Sequence, residues 1–336
     1  MIGFREKIAI TGGSGYVGKI LAEYLSKKYN IKLIDVNSPS SFLGEGVEFC
    51  NLDVRDLSLL KKNLDDCTFV IHAAIIQIPK IIEQKRLGYE VNIVGTQNVC
   101  AAVNELPNLK GMILAGSWHT IGEREFNGVI DEEFGFRPDK VEERARLYSL
   151  SKIAQETIVR FYSEMSDKQF GIIRMGTLLG NEMPKETAAN IFIERGLNNQ
   201  SITPYKHSMN RPMLFVDESD ICLAYERLLE VLLNKKPSEI SDILSNIINV
   251  YYPVPTTVFD LAEIVRDAII ELSFGKLSPK IEIVDKGLPL IFSTNEKKNI
   301  KVSIDKAKKI LKMENFTSPR DSIRKIVKKR VIKKRF

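Results

Sequence analysis

Thr11-Gly12-Gly13-Ser14-Gly15-Tyr16-Val17-Gly18 stands between an apolar run, Lys7 to Ile10, and a helical pattern, Lys19 to Lys28. This order predicts a strand that enters a helix through a glycine-rich turn. Such a turn lets the backbone approach a pyrophosphate, whose charge faces the free N–H groups at the positive end of the helix. The stretch therefore predicts a dinucleotide site. Taken alone, it also fits an ordinary strand-to-helix turn.

The three glycines of this motif have different tasks. Gly12 allows the tight turn, Gly15 lets a ligand come close, and Gly18 lets the helix pack closely on the strand. Together with the two residues between the last two glycines, the candidate cofactor-binding residues here are Gly12, Gly15, Tyr16, Val17 and Gly18.

An acidic residue, Asp35, follows the second predicted strand, Ile31 to Ile34, and lies 17 residues beyond Gly18. At this spacing a carboxylate can bind both ribose hydroxyls and repel a 2′-phosphate. The sequence therefore predicts NAD rather than NADP as the cofactor. A turn residue or a helix cap is the alternative interpretation of Asp35.

Length and composition set broad limits on the fold. The chain has 336 residues, of which 44% are apolar, which suits one large α/β domain or a nucleotide domain with a smaller companion. The sequence has no apolar run as long as a membrane span, and its start resembles no signal peptide. We therefore expect a cytoplasmic protein.

The cysteines and histidines are dispersed along the sequence. No pair has the spacing of a C-x-x-C site or of helical metal ligands, so we expect buried thiols and no metal. The residues concerned are Cys50, Cys67, Cys100, Cys222, His72, His119 and His207.

The net charge of +6 comes from the last part of the chain. Arg324 to Phe336 contains eight Lys or Arg and no acid, which leaves 6 − 8 = −2 for the rest. Such a tail can bind nucleic acid or anionic lipid. However, Ile323, Ile326, Val327 and Val331 form a helical stripe that can dock on the domain and leave the lysines solvated. We favour the docked helix and expect no nucleic-acid or membrane partner.

Strand-like runs alternate with helical patterns through the first half of the chain, which predicts a doubly wound, Rossmann-type parallel sheet with helices on both faces. We expect this cofactor domain to span residues 1–176 and to regain a segment at about 211–250. Residues 177–318 would form mainly a smaller α+β substrate cap, and 319–336 the basic helix. The strand runs are Lys7–Ile10, Ile31–Ile34, Val47–Cys50, Phe69–Ala73, Gly111–Ala115 and Gly171–Arg174.

Tyr148 and Lys152 lie four residues apart at the start of a helical pattern that runs to about Met165. Residues at this spacing share one helical face. A neighbouring ammonium and an oxidised nicotinamide both favour the phenolate and would lower the tyrosine pKa. Tyr148 could then take a hydroxyl proton while hydride leaves the same carbon. Without the glycine motif, the pair would be an ordinary helix-surface pair.

With the glycine motif and Asp35 upstream, the chain resembles the extended short-chain dehydrogenase/reductase family, in particular its NAD-dependent epimerase/dehydratase branch of the UDP-glucose 4-epimerase type. The resemblance covers nearly the whole chain. Ile113 to Gly122 occupies the place of the family's catalytic serine segment. The resemblance implies that Ser117 hydrogen-bonds the reacting oxygen and Tyr148 exchanges its proton. It also implies that Lys152 binds the nicotinamide ribose and lowers the tyrosine pKa.

Other segments resemble the family's binding elements. Leu52-Asp53-Val54 resembles the adenine-contacting segment, and His72-Ala73-Ala74 the strand end beside the cofactor. Val91-Asn92 through Gly95-Thr96 resembles the central helix. Arg211 through Asp217 resembles the segment whose arginine holds a substrate phosphate, although a surface salt bridge remains open. The implied cofactor contacts are Asp53, Val54, Ala73, Ala74 and Asn92.

Two departures from the family pattern bear on the substrate. Trp118-His119 stands where the dehydratases have an Asp-Glu pair, and the sequence has no arginine between Arg266 and Arg320 to bind a diphosphate. Ser117 to Gly122 also resembles the corresponding segment of uronate dehydrogenases. In that case His119 would help to bind a free sugar acid and Arg211 would receive its carboxylate.

These observations lead to two expectations about function. The first is an NAD-dependent nucleotide-sugar epimerase, specifically a hexose 4-epimerase that acts through a transient keto sugar. The alternative is an NAD-dependent sugar or uronate dehydrogenase of the same fold. The intact set of Ser117, Tyr148 and Lys152 disfavours a regulatory or scaffold protein. From the resemblance we also expect a homodimer formed through the helices at about 90–105 and 147–165.

Overall fold

Short apolar runs form a parallel β-sheet at the centre of the protein, and most of its strands are buried on both faces. The structure is a computed structural model that describes residues 5–39, 44–235, 242–294 and 296–334. The strands in chain order are β1 (Lys7–Thr11), β2 (Asn30–Asp35), β3 (Val47–Asn51), β4 (Phe69–His72), β5 (Gly111–Ser117), β6 (Val129–Ile130), β7 (Gln169–Met175), β8 (Thr177–Leu179), β9 (Pro212–Met213), β10 (Phe215–Asp217), β11 (Ile247–Val250), β12 (Thr256–Thr257) and β13 (Lys301–Val302).

The main sheet has the strand order β11-β7-β5-β4-β1-β2-β3, and all pairs are parallel. The order reverses between β1 and β4, because the chain builds outward from β1 in one direction and then from β4 in the other. In doubly wound sheets, ligands bind at the carboxyl ends of the strands beside such a reversal. The glycine motif follows β1 and therefore lies at this point.

Helices cover the sheet. Helix α1 begins at Tyr16, three residues earlier than the pattern from Lys19 predicted, because the turn ends at Gly15. A π-helical turn, Glu90–Val94, leads into the central helix. The helices in chain order are α1 (Tyr16–Leu25), α2 (Leu57–Leu64), α3 (Lys80–Glu83), α4 (Lys85–Tyr89), α5 (Gly95–Glu105), α6 (Glu143–Met165), α7 (Ala188–Leu197), α8 (Glu218–Leu233), α9 (Val258–Leu272), α10 (Asp305–Leu311) and α11 (Pro319–Lys334).

The sheet predicted from sequence is confirmed. Each of the six predicted runs is a strand of the parallel sheet, with ends that differ by one or two residues. Strand β11 was not among the predicted runs, and it extends the sheet beside β7. Helix α6 begins at Glu143, so Tyr148 lies in its second turn rather than at its start.

The second half of the chain contains short strand pairs and three mutually packed helices. Strands β8 and β10 form a parallel pair, and β9 and β12 an antiparallel one. Helix α11 packs against α9, and its Ile323, Ile326 and Val327 are buried. The basic helix is therefore docked through its apolar stripe. The division of the chain near residue 176 stays a proposal.

Candidate active site

The glycine turn lies against the carboxyl end of β4. Gly12 has a φ of +70°, and a Cβ on it would lie 2.6 Å from the backbone nitrogen of Ala74. A Cβ on Gly18 would lie 2.5 Å from the carbonyl oxygen of Gly12. The backbone N–H of Ala73 donates to Thr11 O at 3.0 Å. The turn therefore requires glycine at both positions and is packed tightly on the Ala73-Ala74 segment.

Gly15 stands at the N-cap of α1 with a φ of −73°. No side chain caps this helix start, and its first turn has no acidic residue. The N–H groups of a first helical turn have no partner within their own helix and attract an anion. A cradle that excludes side chains and ends in such N–H groups fits the pyrophosphate of NAD.

Asp35 is the last residue of β2 and faces the glycine turn. Its carboxylate accepts hydrogen bonds from the backbone N–H of Ser14 at 3.1 Å and of Asn37 at 2.9 Å. An acid held at this place fits a ribose with both hydroxyls free. We call Gly12, Gly15, Gly18 and Asp35 the cofactor edge.

The side chains of Tyr16 and Val17 point into the protein. The Tyr16 phenol donates to Glu218 Oε2 of α8 at 2.8 Å, and burial together with this carboxylate raises the Tyr16 pKa. Val17 packs against the hydrophobic core. The assignment of these two half-buried residues as cofactor contacts stays a prediction.

Asp53 is engaged by a neighbouring arginine. Arg55 binds its carboxylate at 2.6 Å, and these hydrogen bonds lower the Asp53 pKa. Arg55 also pairs with Glu90 at 2.7 Å. Val54 is buried and would contact a Cβ on Gly95. Asp53, Arg55 and Glu90 border an open pocket of about 610 Å³, whose other lining residues are Asp56, Leu57 and Val94.

Asn92 is a buried link between three segments. Its side chain accepts from Ile76 N at 2.7 Å and donates to Ile76 O at 3.1 Å and to Ser151 Oγ at 3.0 Å. It thereby fastens the loop after β4 to α6. The structure gives Asn92 a positioning role, and its direct contact with a cofactor stays a prediction.

Ser117, Tyr148 and Lys152 meet where β5 ends against α6. Burial raises the Tyr148 pKa to about 12, and a hydrogen bond with Ser117 lowers it in part. Lys152 is 4% exposed and donates from Nζ to Ala115 O at 2.7 Å. Burial lowers the Lys152 pKa to about 7. These two shifts describe the chain without a cofactor, and the lowering of the Tyr148 pKa by Lys152 together with an oxidised nicotinamide stays a prediction.

His119 lies beside this group of three residues. Its Nδ1 is 3.2 Å from Ser117 Oγ, and its ring meets the Tyr148 ring edge-on with centroids 5.5 Å apart. On its other side, Nε2 is 3.4 Å from Oε1 of Glu123, which is completely buried. His119 therefore joins the reacting group to a buried carboxylate.

Arg211 approaches the same carboxylate from the segment before β9. Its Nη1 lies 2.9 Å from Glu142 Oε1 and 3.8 Å from Glu123 Oε1. Only 9% of Arg211 is exposed. Two acids of the protein thus balance the charge of Arg211. We call His119, Glu123, Glu142 and Arg211 the charged cluster.

Sequence reasoning missed Glu123 and Glu142. Glu123 follows His119 by four residues, a spacing that brings two side chains together in a helix-like turn. This signal was present in the sequence. Glu142 offered none, because only the fold brings the start of α6 to Arg211.

Within the described ranges, no helix is both long and apolar enough to cross a membrane. The same ranges contain no group of three or more His, Cys, Asp or Glu side chains that could hold a metal ion.

Comparison with known proteins gives a family match over most of the chain. The model of the NAD dependent epimerase/dehydratase family matches residues 8–243. This range begins one residue into β1, contains β2 to β10, and includes each residue of the cofactor edge and of the charged cluster.

Individual relatives differ in activity. The uronate dehydrogenase of Agrobacterium fabrum is 25% identical over 172 residues, which cover 51% of this chain and 61% of that enzyme. The UDP-glucose 4-epimerase of Mycoplasma genitalium is 25% identical over 195 residues, 55% of this chain and 56% of that enzyme. The chain thus spans little more than half the length of these relatives.

A solved structure shares the fold over nearly the whole chain. The UDP-glucuronic acid 4-epimerase from Bacillus cereus, in complex with UDP-glucuronic acid and NAD, superimposes with a TM-score of 0.75. The match covers 96% of this chain and 99% of that one at 19% sequence identity.

Proposed function

This chain belongs to the NAD dependent epimerase/dehydratase family, and from that premise we propose that it is an NAD-dependent nucleotide-sugar epimerase, specifically a hexose 4-epimerase. One observation carries the proposal: Ser117 and Tyr148 meet beside Lys152 at the same sheet edge as the glycine turn. This arrangement suits the reversible oxidation of a sugar hydroxyl.

The chemistry of this site divides between cofactor and protein. NAD, when bound, accepts hydride from a sugar carbon and returns it. Tyr148 takes the proton of the hydroxyl on that carbon and later gives it back. Ser117 binds the same oxygen, and Lys152 supplies a donor on the same face of α6 one turn away. Rotation of the keto sugar between the two transfers yields the 4-epimer.

The second candidate is a sugar or uronate dehydrogenase of the same fold. It is favoured by His119, which stands 3.2 Å from Ser117, and by the uronate dehydrogenase among the relatives. In this case Arg211 would receive the substrate carboxylate. It could do so only if Glu142 released it, because the two side chains are paired at 2.9 Å.

A product assay decides between the two candidates. Purified protein is incubated with NAD and, separately, with UDP-sugars, free aldoses and uronates. Absorbance follows NADH, and chromatography with mass spectrometry separates the sugar isomers. We expect a 4-epimer of a UDP-sugar to form without accumulation of NADH. Stoichiometric NADH would establish the dehydrogenase instead, and neither product would refute both candidates.

The homodimer is also a proposal, and apolar residues exposed on α6 support it. Leu147, Leu150, Phe161 and Met165 are 37%, 44%, 68% and 53% exposed. Their spacing places them along one side of the helix. Sedimentation of the wild-type protein should give a dimer, and Phe161→Glu should give a monomer.

A further inference from the structure

Arg211 is the cation that an acidic substrate group would need, but two carboxylates of the protein already stand beside it. Its Nη1 donates to Glu142 Oε1 at 2.9 Å and lies 3.8 Å from Glu123 Oε1. Its Nε is buried and has no hydrogen-bond partner among the residues that the structure describes. The guanidinium is thus held by acids of its own chain, and only 9% of the residue is exposed.

Glu123 adds a buried negative charge beside His119. Its side chain is completely buried, and its Oε2 accepts from the backbone N–H of Glu142 at 2.9 Å. Its Oε1 has no hydrogen-bond partner within the described part of the chain. Burial by itself raises the Glu123 pKa, but the neighbouring His119 and Arg211 lower that pKa to about 2. The carboxylate is therefore ionised at neutral pH and can only accept hydrogen bonds.

This charge lies close to the place where a substrate would react. Glu123 Oε1 stands 3.4 Å from Nε2 of His119, and the other nitrogen of that ring, Nδ1, is 3.2 Å from Ser117 Oγ. One imidazole ring thus lies between the carboxylate and the serine. Charges in a buried place are screened much less than charges at the surface. A charged group of a substrate at Ser117 would therefore interact with the Glu123 anion.

The charged side chains that contact one another here leave no surplus of positive charge. Arg144 Nε pairs with the second oxygen of Glu142, Oε2, at 2.5 Å, but half of the Arg144 side chain is exposed. On the buried side of these contacts, the carboxylates of Glu123 and Glu142 share one guanidinium, that of Arg211. A carboxylate binds tightly where positively charged donors are not already taken up by other anions. This place does not meet that condition.

We propose that Glu123 and Glu142 determine the substrate class of this site, because they hold Arg211, place a buried anion beside His119 and so select a neutral hexose over a uronate. A carboxylate next to the reacting carbon would have to displace Glu142 from Arg211 and would also face the anion of Glu123. The hydroxyl groups of a hexose carry no charge and meet neither cost. This inference rests on the proposed oxidation of a sugar at Ser117 and Tyr148, and it names the class of sugar.

The first experiment compares two sugars that differ only in the carboxylate. These are UDP-glucose and UDP-glucuronic acid, or free glucose and glucuronate if the product assay establishes the dehydrogenase. Each pair shares all other groups, including the nucleotide, so the ratio of the two kcat/KM values isolates the carboxylate. We expect the wild-type protein to prefer the hexose about a hundredfold. An equal or higher kcat/KM for the uronate would overturn the proposal, even if a variant does not fold.

Two variants of equal shape test whether these acids cause the preference. Glu123→Gln and Glu142→Gln each remove one negative charge, and each should reduce the preference about tenfold, mainly through a lower KM for the uronate. The control is Glu143→Gln, which removes the same charge from an exposed neighbour. It should keep the wild-type preference within about twofold, because solvent screens a surface charge. Wild-type preferences in both Glu123→Gln and Glu142→Gln would also contradict the proposal.

The second experiment needs no turnover. A double-mutant cycle of Glu142→Gln and Arg211→Met, measured by urea unfolding, gives the coupling between the two side chains. We expect Glu142→Gln to change the unfolding equilibrium constant about tenfold less in the Arg211→Met background than in the wild type. Additive effects would mean that Arg211 is free to receive a carboxylate and would overturn the proposal. If no sugar of either kind is turned over, the proposed function fails, while this cycle still decides whether the protein holds Arg211.

Discussion

The cofactor edge and the charged cluster are built by opposite means. The cofactor edge depends on backbone: two glycines without room for a Cβ, an uncapped helix start and one acid at a strand end. The charged cluster depends on side chains from three segments, whose charges balance one another in a buried place. A backbone cradle suits the part of a ligand that is not changed by the reaction. A cluster of titratable side chains suits the part that reacts.

The first prediction concerns Tyr148, where the two regions meet. Tyr148→Phe removes the proton carrier and leaves the cofactor edge intact, so turnover should fall by about 10²–10⁴-fold. NAD affinity, measured by quenching of protein fluorescence, should stay near the wild-type value. Unchanged turnover would remove Tyr148 from the reaction, and a parallel loss of NAD affinity would show that the two regions are not separable.

The second prediction uses pH to test the charge of Lys152. Burial lowers its pKa from 10.5 to about 7, so the unfolded chain binds its proton more tightly than the folded chain does. Lys152 therefore destabilises the fold fully below pH 7, and this cost disappears as the pH rises towards 10.5. Lys152→Met should raise the free energy of unfolding by roughly 1–3 kcal/mol near pH 6 and by less near pH 9.

Urea unfolding at the two pH values measures this difference. Exposed Lys276 supplies the control, because Lys276→Met removes the same charge from the surface. If both variants have the same pH dependence, the ammonium of Lys152 is not buried at a cost. Loss of turnover in Lys152→Met together with higher stability would show that this lysine is kept for function.

The contrast between the two regions also explains how much the sequence predicted. The cofactor edge could be predicted because its residues follow strands that apolar runs mark, and glycines at fixed spacing report backbone geometry directly. The parallel sheet with helices on both faces followed from the same alternation, whereas the order of its strands came only from the structure. The predicted positions of helix starts were less exact. The helical pattern from Lys19 indicates which side of α1 is buried, but it does not indicate where the preceding turn ends.

The charged cluster could not be predicted in the same way. His119 and Arg211 were found through family resemblance, but their partners were not. Glu123 was overlooked although it follows His119 by four residues. Glu142 gave no signal, because its pairing with Arg211 depends on how the start of α6 meets the segment before β9. The same limit applies to the pKa of Tyr148. Spacing placed Lys152 near it, but only the fold shows that Lys152 is buried and Tyr148 half-buried.

The third prediction tests whether the cofactor edge is a matter of backbone space. A Cβ on Gly18 would lie 2.5 Å from a backbone oxygen, whereas on Gly15 its nearest neighbour would be 3.1 Å away. Gly18→Ala should therefore cost about 1–3 kcal/mol of stability and also weaken NAD binding. Gly15→Ala should weaken NAD binding with little loss of stability. Equal stability losses in the two variants, measured by urea unfolding, would contradict this assignment.

The smallest effect is expected at Asp35, where the cofactor edge relies on one charge. Asp35→Asn keeps an oxygen that can accept from Ser14 N–H and removes only the negative charge. The preference for NAD over NADP, measured as the ratio of the two dissociation constants, should fall about tenfold, or about 1.4 kcal/mol. Asp35→Ala should weaken NAD binding further, because the bond to the turn is also lost. An unchanged preference in both variants would mean that the backbone, and not this charge, selects the cofactor.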